Sequence, residues 1–298
     1  MSIYNECMLC PRKCCVDRSK SMGFCRQSDN LRIARADLHF WEEPCISGKN
    51  GSGTVFFSGC TLKCCFCQNY EVSQENKGYY ISAVELADIF LELQHKGAHN
   101  INLVSPTPHV PKIIEALDIA RPRLIIPVVY NCGGYENVDT IKMLDGYVNV
   151  YLPDMKYFND EYALKYSGTK NYFSEAIASL KEMVRQVGKP QFDDKGIIKK
   201  GVIVRHLVLP TLRKDSIAVI NELAKSFKSD EILLSIMSQY VPMHKSFEFK
   251  ELSRRVSTFE YNSVLDEASK FGFNGFSQER EAADKSYIPE FSGRKEYG

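Results

Sequence analysis

Three closely spaced cysteines, Cys60, Cys64 and Cys67, are the residues of this 298-residue sequence best suited to chemistry. Their spacing, Cys-x3-Cys-x2-Cys, allows one loop to place three thiolates around a compact iron–sulfur cubane. A [4Fe–4S] cluster has four irons, so one iron would keep an open position for a small molecule. A tetrahedral zinc ion would need a fourth protein ligand or a water instead. Cys65 lies inside the motif but out of its register, and we interpret it as a spare residue.

A second group of cysteines lies near the N-terminus and consists of Cys7, Cys10, Cys14 and Cys25. A segment this short cannot bury enough apolar surface to fold alone, so the group predicts a small module stapled by a metal. Zinc and an auxiliary iron–sulfur cluster both suit four thiolates, and the sequence does not choose between them. A zinc ribbon built from Cys7 and Cys10 together with Cys64 and Cys67 is a further alternative.

Composition excludes several classes of protein. The 44% apolar and 25% charged residues are typical of a globular chain, and a net charge of +1 predicts neither nucleic-acid nor membrane binding. The N-terminal residues lack the apolar stretch of a signal peptide, and no apolar run approaches a membrane span. The odd count of 11 cysteines argues against a complete set of disulfides. We therefore expect a cytoplasmic protein whose clustered thiols bind metal.

Strand-like and helix-like segments alternate after the first 50 residues. The predicted strands cover residues 53–58, 101–104, 124–129, 147–152, 201–209 and 232–237. The first predicted helix begins after Ser82, which forms a capping box with Glu85. Further helices are predicted at residues 110–120, 137–144, 159–187, 217–227 and 249–271. Nearly continuous apolar strands are buried on both faces, as in a parallel sheet covered by helices. A polar stretch at residues 194–196 predicts a hairpin turn.

Six such units predict an α/β fold, a partial (β/α)6 barrel of the TIM type, because eight units would be needed to close it. We divide the chain into a Cys-rich, metal-binding N-terminal extension at residues 1–50, the barrel at residues 51–276 and a tail at residues 277–298. Active sites of parallel barrels lie at the carboxyl ends of the strands. The polar residues at those ends are Ser105, Thr107, Asn131, Asp154, Lys156, Arg205 and His206.

Arg205 and His206 are unusual because they interrupt an apolar strand. A buried charge is costly unless it is paired or faces a polar cavity, and neighbours on a strand point to opposite faces. We therefore expect one of the two in the site and favour Arg205, whose guanidinium can bind a carboxylate through two hydrogen bonds. Residues 39–45 contain the only tryptophan, and their types assign no particular role. A function at the site and packing of the N-terminal module onto the barrel would explain this segment equally well.

These motifs together resemble the radical S-adenosylmethionine (SAM) superfamily and, within it, the pyruvate formate-lyase activating enzyme-like proteins. The segments that carry the resemblance are CMLCPRKC, HFWEEPCISG, FFSGCTLKCCFCQNYEVSQ, NINLVSPTPHVPKIIEAL, VVYNCGGYE, VYLPDMKY, VIVRHLVLP and LSIMSQYVP. The resemblance implies a [4Fe–4S] cluster on Cys60, Cys64 and Cys67 whose open iron is chelated by SAM. It implies that one electron from the reduced cluster cleaves SAM to methionine and a 5′-deoxyadenosyl radical, which abstracts a hydrogen atom.

The resemblance also implies roles for the residues at the strand ends. Asp154 and Lys156 match an Asp-x-Lys that lines the SAM site and helps to bind a cation. Asn131 stands where activating enzymes carry an aspartate, and the segment with Ser105 and Thr107 replaces a Gly-Gly-Glu that meets the SAM amino group. The implied partners are a reduced electron donor of the flavodoxin or ferredoxin type and a glycyl radical enzyme whose glycine loses hydrogen. The alternatives are a radical SAM enzyme acting on a small metabolite or another protein residue, and a zinc-stabilised binding module without turnover.

Overall fold

The computed structural model describes residues 3–277. Its ten strands are β1 (Leu31–His39), β2 (Ser52–Phe57), β3 (Tyr79–Ile81), β4 (Ile101–Val104), β5 (Val128–Cys132), β6 (Val150–Pro153), β7 (Gln191–Phe192), β8 (Ile198–Leu207), β9 (Leu233–Met237) and β10 (Gly275–Ser277). Its α-helices are α1 (Pro44–Ser47), α2 (Tyr70–Ser73), α3 (Ala83–His95), α4 (Val110–Ala120), α5 (Val138–Met143), α6 (Asp160–Ser167), α7 (Tyr172–Val187), α8 (Arg213–Ser226) and α9 (Thr258–Ser269).

One curved sheet organises the molecule, in the order β10-β9-β8-β6-β5-β4-β2-β1-β3. The six strands β2, β4, β5, β6, β8 and β9 pair in parallel in that order, which confirms the predicted six-unit partial barrel. Strands β2, β4, β5, β6 and β9 are buried along their whole length, as expected when helices cover one face and the barrel interior the other. All six strands point the same way, so their carboxyl ends meet at one rim of the barrel.

The N-terminal segment contributes to the same sheet. Strand β1 pairs antiparallel with β2, and β3 pairs antiparallel with β1, so two strands extend the barrel sheet beyond its first parallel strand. Our sequence reading placed no strand in residues 1–50. The polar residues Arg32, Arg35 and Asp37 interrupt the apolar ones in β1, which hides the strand.

Helix α1 lies inside the barrel instead of on its surface. Its residues Cys45 and Ile46 pack in one apolar cluster with Val129, Val150, Leu152, Ile198, Ile203 and Leu233. Most of these partners stand in the first half of their strands, and the side-chain amide of Asn100, just before β4, donates to the Ile46 carbonyl at 2.8 Å. The segment around α1 therefore fills the end of the barrel opposite the rim, and we call residues 39–48 the plug.

Several element boundaries match the sequence prediction and others shift. Ser82 and Glu85 form the predicted capping box of α3, and the hairpin at residues 194–196 joins β7 to β8. Strand β5 begins at Val128 instead of residue 124, because Pro127 lacks the N–H that a sheet ladder requires. Helix α9 begins at Thr258 after short 3-10 turns, since Ser257 caps it with Glu260. The predicted tail lies outside the described residues, except that Ser277 ends β10.

Candidate functional site

The loop between β2 and α2 brings three cysteines to one pocket at the rim. Cys60, Cys64 and Cys67 line this pocket, whose volume is about 250 Å³. Cys65 does not line it; its backbone N–H donates to the Tyr166 carbonyl at 2.8 Å, which turns the residue toward α6. The chain therefore separates the three thiols at positions 60, 64 and 67, which line the pocket, from the thiol of Cys65, which does not.

Hydrogen-bond donors surround the three thiols. The Ser167 hydroxyl donates to the Cys64 sulfur at 3.0 Å, the Leu62 N–H donates to the Cys60 sulfur at 3.4 Å, and the Ser73 hydroxyl lies 3.3 Å from the Cys67 sulfur. Burial raises the pKa of Cys60 to about 12 and that of Cys67 to about 11. At neutral pH these thiols are therefore protonated in the metal-free protein, and a metal that binds them would displace their protons into the solvent.

Charged and polar residues from four other strand ends line the same pocket as the three thiols. They are Ser105 after β4, Asn131 in β5, Asp154 and Lys156 after β6, and Arg205 in β8. Ser105 has a φ of +57°, a left-handed conformation that is uncommon for a residue with a side chain and recurs at functional sites. The structure thus brings together five of the seven residues that the sequence singled out at the strand ends.

Arg205 is the centre of this charged group. Its guanidinium bonds Asp154 Oδ1 at 3.0 Å, Glu42 Oε2 at 3.2 Å and Asn131 Oδ1 at 2.5 Å. The ammonium of Lys156 donates to the other Asp154 oxygen at 2.7 Å. Burial favours the neutral form of Asp154, but the Lys156 and Arg205 charges overcome it and hold the pKa of this carboxyl below its usual value. Asp154, Lys156 and Arg205 therefore remain ionised in a mostly buried site.

Thr107 and His206 lie outside the pocket. The Thr107 hydroxyl turns away and donates to Glu136 Oε1 at 2.8 Å. His206 points to the helix side of β8, where its Nδ1 lies 2.7 Å from the Met155 carbonyl. The alternation of a strand explains His206, since Arg205 takes the inward position. Burial lowers the pKa of His206 to about 4, so it is neutral at physiological pH.

The plug contributes residues to the pocket that sequence reasoning missed. His39, Trp41 and Glu42 line it, and Glu42 also accepts hydrogen bonds from Asn102 and Asn131 at 3.0 and 3.2 Å. The side chain of Trp41 is 61% exposed, whereas Glu43 is buried, and burial raises the pKa of its carboxyl. The adjacent Glu42 and Glu43 could have indicated a site in this segment. Paired acids just before a buried segment need cationic or polar partners elsewhere in the protein.

The N-terminal cysteines line a separate small cavity. Cys7, Cys10, Cys14 and Cys25 surround it together with Arg12, Arg18, Thr61 and Thr107. All 11 cysteines of the chain are free thiols. Within residues 3–277, no three His, Cys, Asp or Glu side chains stand close enough together to hold one metal ion. The same residues include no helix long and apolar enough to cross a membrane.

The sequence profile of the radical SAM superfamily matches residues 54–224, which run from β2 into α8 and include the cluster loop. The chain belongs to the radical SAM superfamily. A relative, an uncharacterized protein of Methanocaldococcus jannaschii, is 31% identical over 285 residues, which cover 92% of this chain and 77% of that one. Membership implies a [4Fe–4S] cluster and SAM as cofactors, and three thiols that line one pocket with a set of paired charges fit both groups.

Solved structures share the fold at low sequence identity. A radical SAM methyltransferase from Sphaerobacter thermophilus is similar with a TM-score of 0.52 and 13% identity, over 76% of this chain and 66% of that chain. SuiB of Streptococcus suis bound to the precursor peptide SuiA has a TM-score of 0.51 and 13% identity, over 75% of this chain and 47% of that chain. The chain thus spans two thirds or less of these proteins. A domain of a pyruvate-formate lyase-activating enzyme from Bacteroides vulgatus has a TM-score of 0.42 and 10% identity, over 58% of this chain and 94% of that chain.

Proposed function

We propose that this radical SAM protein abstracts a hydrogen atom from a glycine of a partner protein, as an activating enzyme of a glycyl radical enzyme. The observation that carries the proposal is the pocket in which Cys60, Cys64 and Cys67 face the group of charges around Arg205. When bound, the reduced cluster and SAM supply a 5′-deoxyadenosyl radical as the hydrogen-abstracting species.

The charges of the pocket suit the polar groups of SAM. Arg205 and Lys156 can bind a carboxylate, and a guanidinium does so with two parallel hydrogen bonds. Asp154 and Glu42 can accept hydrogen bonds from an ammonium or from ribose hydroxyls. These four side chains hold one another in place, so a ligand meets charges that are already oriented and does not have to order them itself.

Apolar residues complete the wall of the pocket. They are Phe56, Leu62, Phe66, Val104, Leu207 and Met237. A reactive carbon radical requires a site from which water and competing hydrogen donors are excluded. These side chains give the region between the cluster loop and the charged residues an apolar wall of the kind that such a site requires.

The open side of the barrel supports a protein as the substrate. The order of the described strands ends at β10 and β3, which do not pair with each other, so the partial barrel is not closed. A loop of a partner could enter between them and reach the pocket beside the exposed Trp41. The sequence segments shared with activating enzyme-like proteins favour a glycine as the target. We further expect a reduced flavodoxin or ferredoxin-type donor and a cytoplasmic location, where thiols stay reduced.

Anaerobic turnover tests the proposal. The reconstituted, reduced protein is mixed with SAM and each glycyl radical enzyme of its host; 5′-deoxyadenosine is measured by chromatography and the radical by electron paramagnetic resonance. We expect 5′-deoxyadenosine together with a glycine-centred doublet for one of these partners. Cleavage of SAM without a doublet for any host enzyme would reject the glycine target. A colourless protein that contains zinc, lacks sulfide and cleaves no SAM would reject the radical chemistry as well.

A further inference from the structure

The cysteines Cys7, Cys10, Cys14 and Cys25, here called the N-terminal thiols, all line one small cavity. Cys14 and Cys25 approach each other across Gly23: a Cβ on that glycine would lie 3.8 and 3.6 Å from their sulfurs. The guanidinium of Arg18, which is 1% exposed, stands 3.9 Å from the sulfur of Cys7. Four thiols and a buried cation thus share one enclosed space, which Cys15, exposed on the surface, does not reach.

The segment that carries these thiols has only a small apolar core of its own. Its apolar cluster consists of Tyr4, Cys7 and Leu9, with Val16 packed against them. Lys13, Cys15 and Arg26 adopt left-handed backbone conformations, with φ of +43°, +53° and +60°. Each such conformation costs of order 1 kcal/mol and persists only where the surroundings enforce it. A core of four residues does not offset that cost. The segment therefore depends on hydrogen bonds to the barrel, such as that from Arg18 to the Pro108 carbonyl at 2.7 Å, and on any metal that the thiols bind.

We propose that the N-terminal thiols bind a second, thiolate-ligated metal centre that clamps the loop of the first cluster in place. Four thiolates without histidine or carboxylate select soft metals, which here means zinc or the iron of an iron–sulfur cluster. Arg18 and Arg12 line the cavity and offset the negative charge that four thiolates bring. Since no three of the described acidic, His or Cys side chains already meet at one point, metal binding must draw the thiols inward and order the segment.

Two contacts connect this centre to the loop that carries Cys60. Arg12 donates from Nε to the Thr61 carbonyl at 2.6 Å and from Nη2 to the Gly168 carbonyl at 2.8 Å, with its guanidinium 3.5 Å from the centre of the Phe24 ring. Gly59 packs closely against the N-terminal segment, so that a Cβ added to this glycine would lie 2.6 Å from the Cys25 carbonyl oxygen. Residues adjacent to Cys60 on both sides thus rest on the segment that the second metal would order.

Metal analysis of the anaerobically purified full-length protein tests the site. In the triple variant Cys60→Ser, Cys64→Ser, Cys67→Ser, which lacks the first cluster, we expect either one zinc or about four irons with matching sulfide to remain. Replacing the four N-terminal thiols with serine as well should remove that metal, whereas adding Cys15→Ser should not. Zinc and iron–sulfur both confirm a thiolate metal centre and identify its type. A folded triple variant without metal, judged by circular dichroism, overturns the proposal.

The rate at which a chelator removes the first cluster tests separately whether the second centre clamps the cluster loop. In the otherwise wild-type protein, we expect Cys25→Ser to speed the loss of the first cluster to a chelator by about tenfold or more, as for other changes that disturb the support of metal ligands. Arg12→Ala should act in the same direction, and Cys15→Ser should leave the rate unchanged. Unchanged rates in both test variants would overturn the clamp. Neither experiment uses a glycyl radical enzyme, so its result is independent of the proposed substrate.

Discussion

Arg205 shows what single residues reveal before a structure is available. A charge inside an apolar strand must face a polar site, and the alternation of the strand leaves one of two neighbours to do so, so Arg205 could be predicted. Its partner Glu42 could not, because 163 residues separate the two in the chain. Only the folding of the plug into the barrel brings that carboxylate under the guanidinium. Thr107 is the opposite case. Its polarity predicted a place in the pocket, but its hydroxyl donates a hydrogen bond to Glu136 instead.

The partnership of Glu42 and Arg205 gives a first prediction. Glu42→Gln keeps the size of the side chain but removes the charge that holds Arg205, which should then orient less well toward a ligand. We expect the affinity for SAM to fall by about tenfold, the size of effect typical of residues that orient a ligand-binding group. Titration of the anaerobic, reconstituted protein with SAM measures it. Glu115→Gln, which alters an ion pair on the surface of α4, serves as the control and should not change the affinity.

The cluster loop gives a second prediction at the same scale. Single changes of Cys60, Cys64 or Cys67 to alanine should each abolish SAM cleavage and lower the iron content, because each removes a pocket-lining ligand. Cys65→Ala should retain both, since that side chain does not line the pocket. Quantifying 5′-deoxyadenosine and iron checks both statements. A Cys65→Ala protein as inactive as the other three would show that the ligand register is different.

At the scale of elements, local chemistry predicted the helix starts better than the strands. Ser82 and Glu85 form the predicted capping box because both partners stand within one turn of each other. Strand β1 was missed because its charged residues break the apolar run, and its existence depends on pairing with β2, which no local pattern records. The parallel strands were visible because burial on both faces makes them continuously apolar.

The turn between β2 and the cluster loop gives a third prediction. Gly59→Ala meets two obstacles, a φ of +82° and the carbonyl of Cys25 at 2.6 Å from the new Cβ. Gly97 after α3 has a similar φ of +87° and open space around it, so Gly97→Ala isolates the backbone strain. We expect Gly97→Ala to lower the free energy of unfolding by about 1–2 kcal/mol and Gly59→Ala by about 1–3 kcal/mol more. Urea denaturation measures the free energy of unfolding of both variants. Equal losses in the two variants would show that the Cys25 carbonyl moves aside easily and contributes no steric cost.

At the scale of the molecule, strand β1 joins the N-terminal segment to the barrel in one sheet. Strand β1 supplies a full partner to β2, and the plug fills the barrel interior with Cys45 and Ile46. The sequence suggested a metal-stapled extension beside a barrel, because cysteine content dominates its composition. The structure adds that this extension is continuous with the wall and interior of the barrel, which depends on contacts between residues far apart in sequence.

Stability against pH gives a fourth prediction. Burial lowers the pKa of His206 to about 4 from a usual 6.5. Between these two pH values the imidazole is protonated in the unfolded chain but neutral in the folded chain. The contribution of His206 to stability is therefore fully present above about pH 6.5 and is lost as the pH drops toward 4, by at most about 1.4 kcal/mol per pH unit. His206→Asn should flatten the acid slope of the unfolding free energy, measured in urea at several pH values. His95→Asn, at an exposed position in α3, should leave the slope unchanged.

The position of the plug in the chain has a consequence for biosynthesis. Residues 39–48 leave the ribosome before any of the six parallel strands, and the interior of the barrel is later built from side chains that pack on Cys45 and Ile46. The nascent wall thus forms around a segment that is already present, and no opening is needed to insert it afterwards. A chain started at residue 51 would have to close over an interior that lacks these two residues, and its Arg205 would lack the carboxylate of Glu42 from the outset.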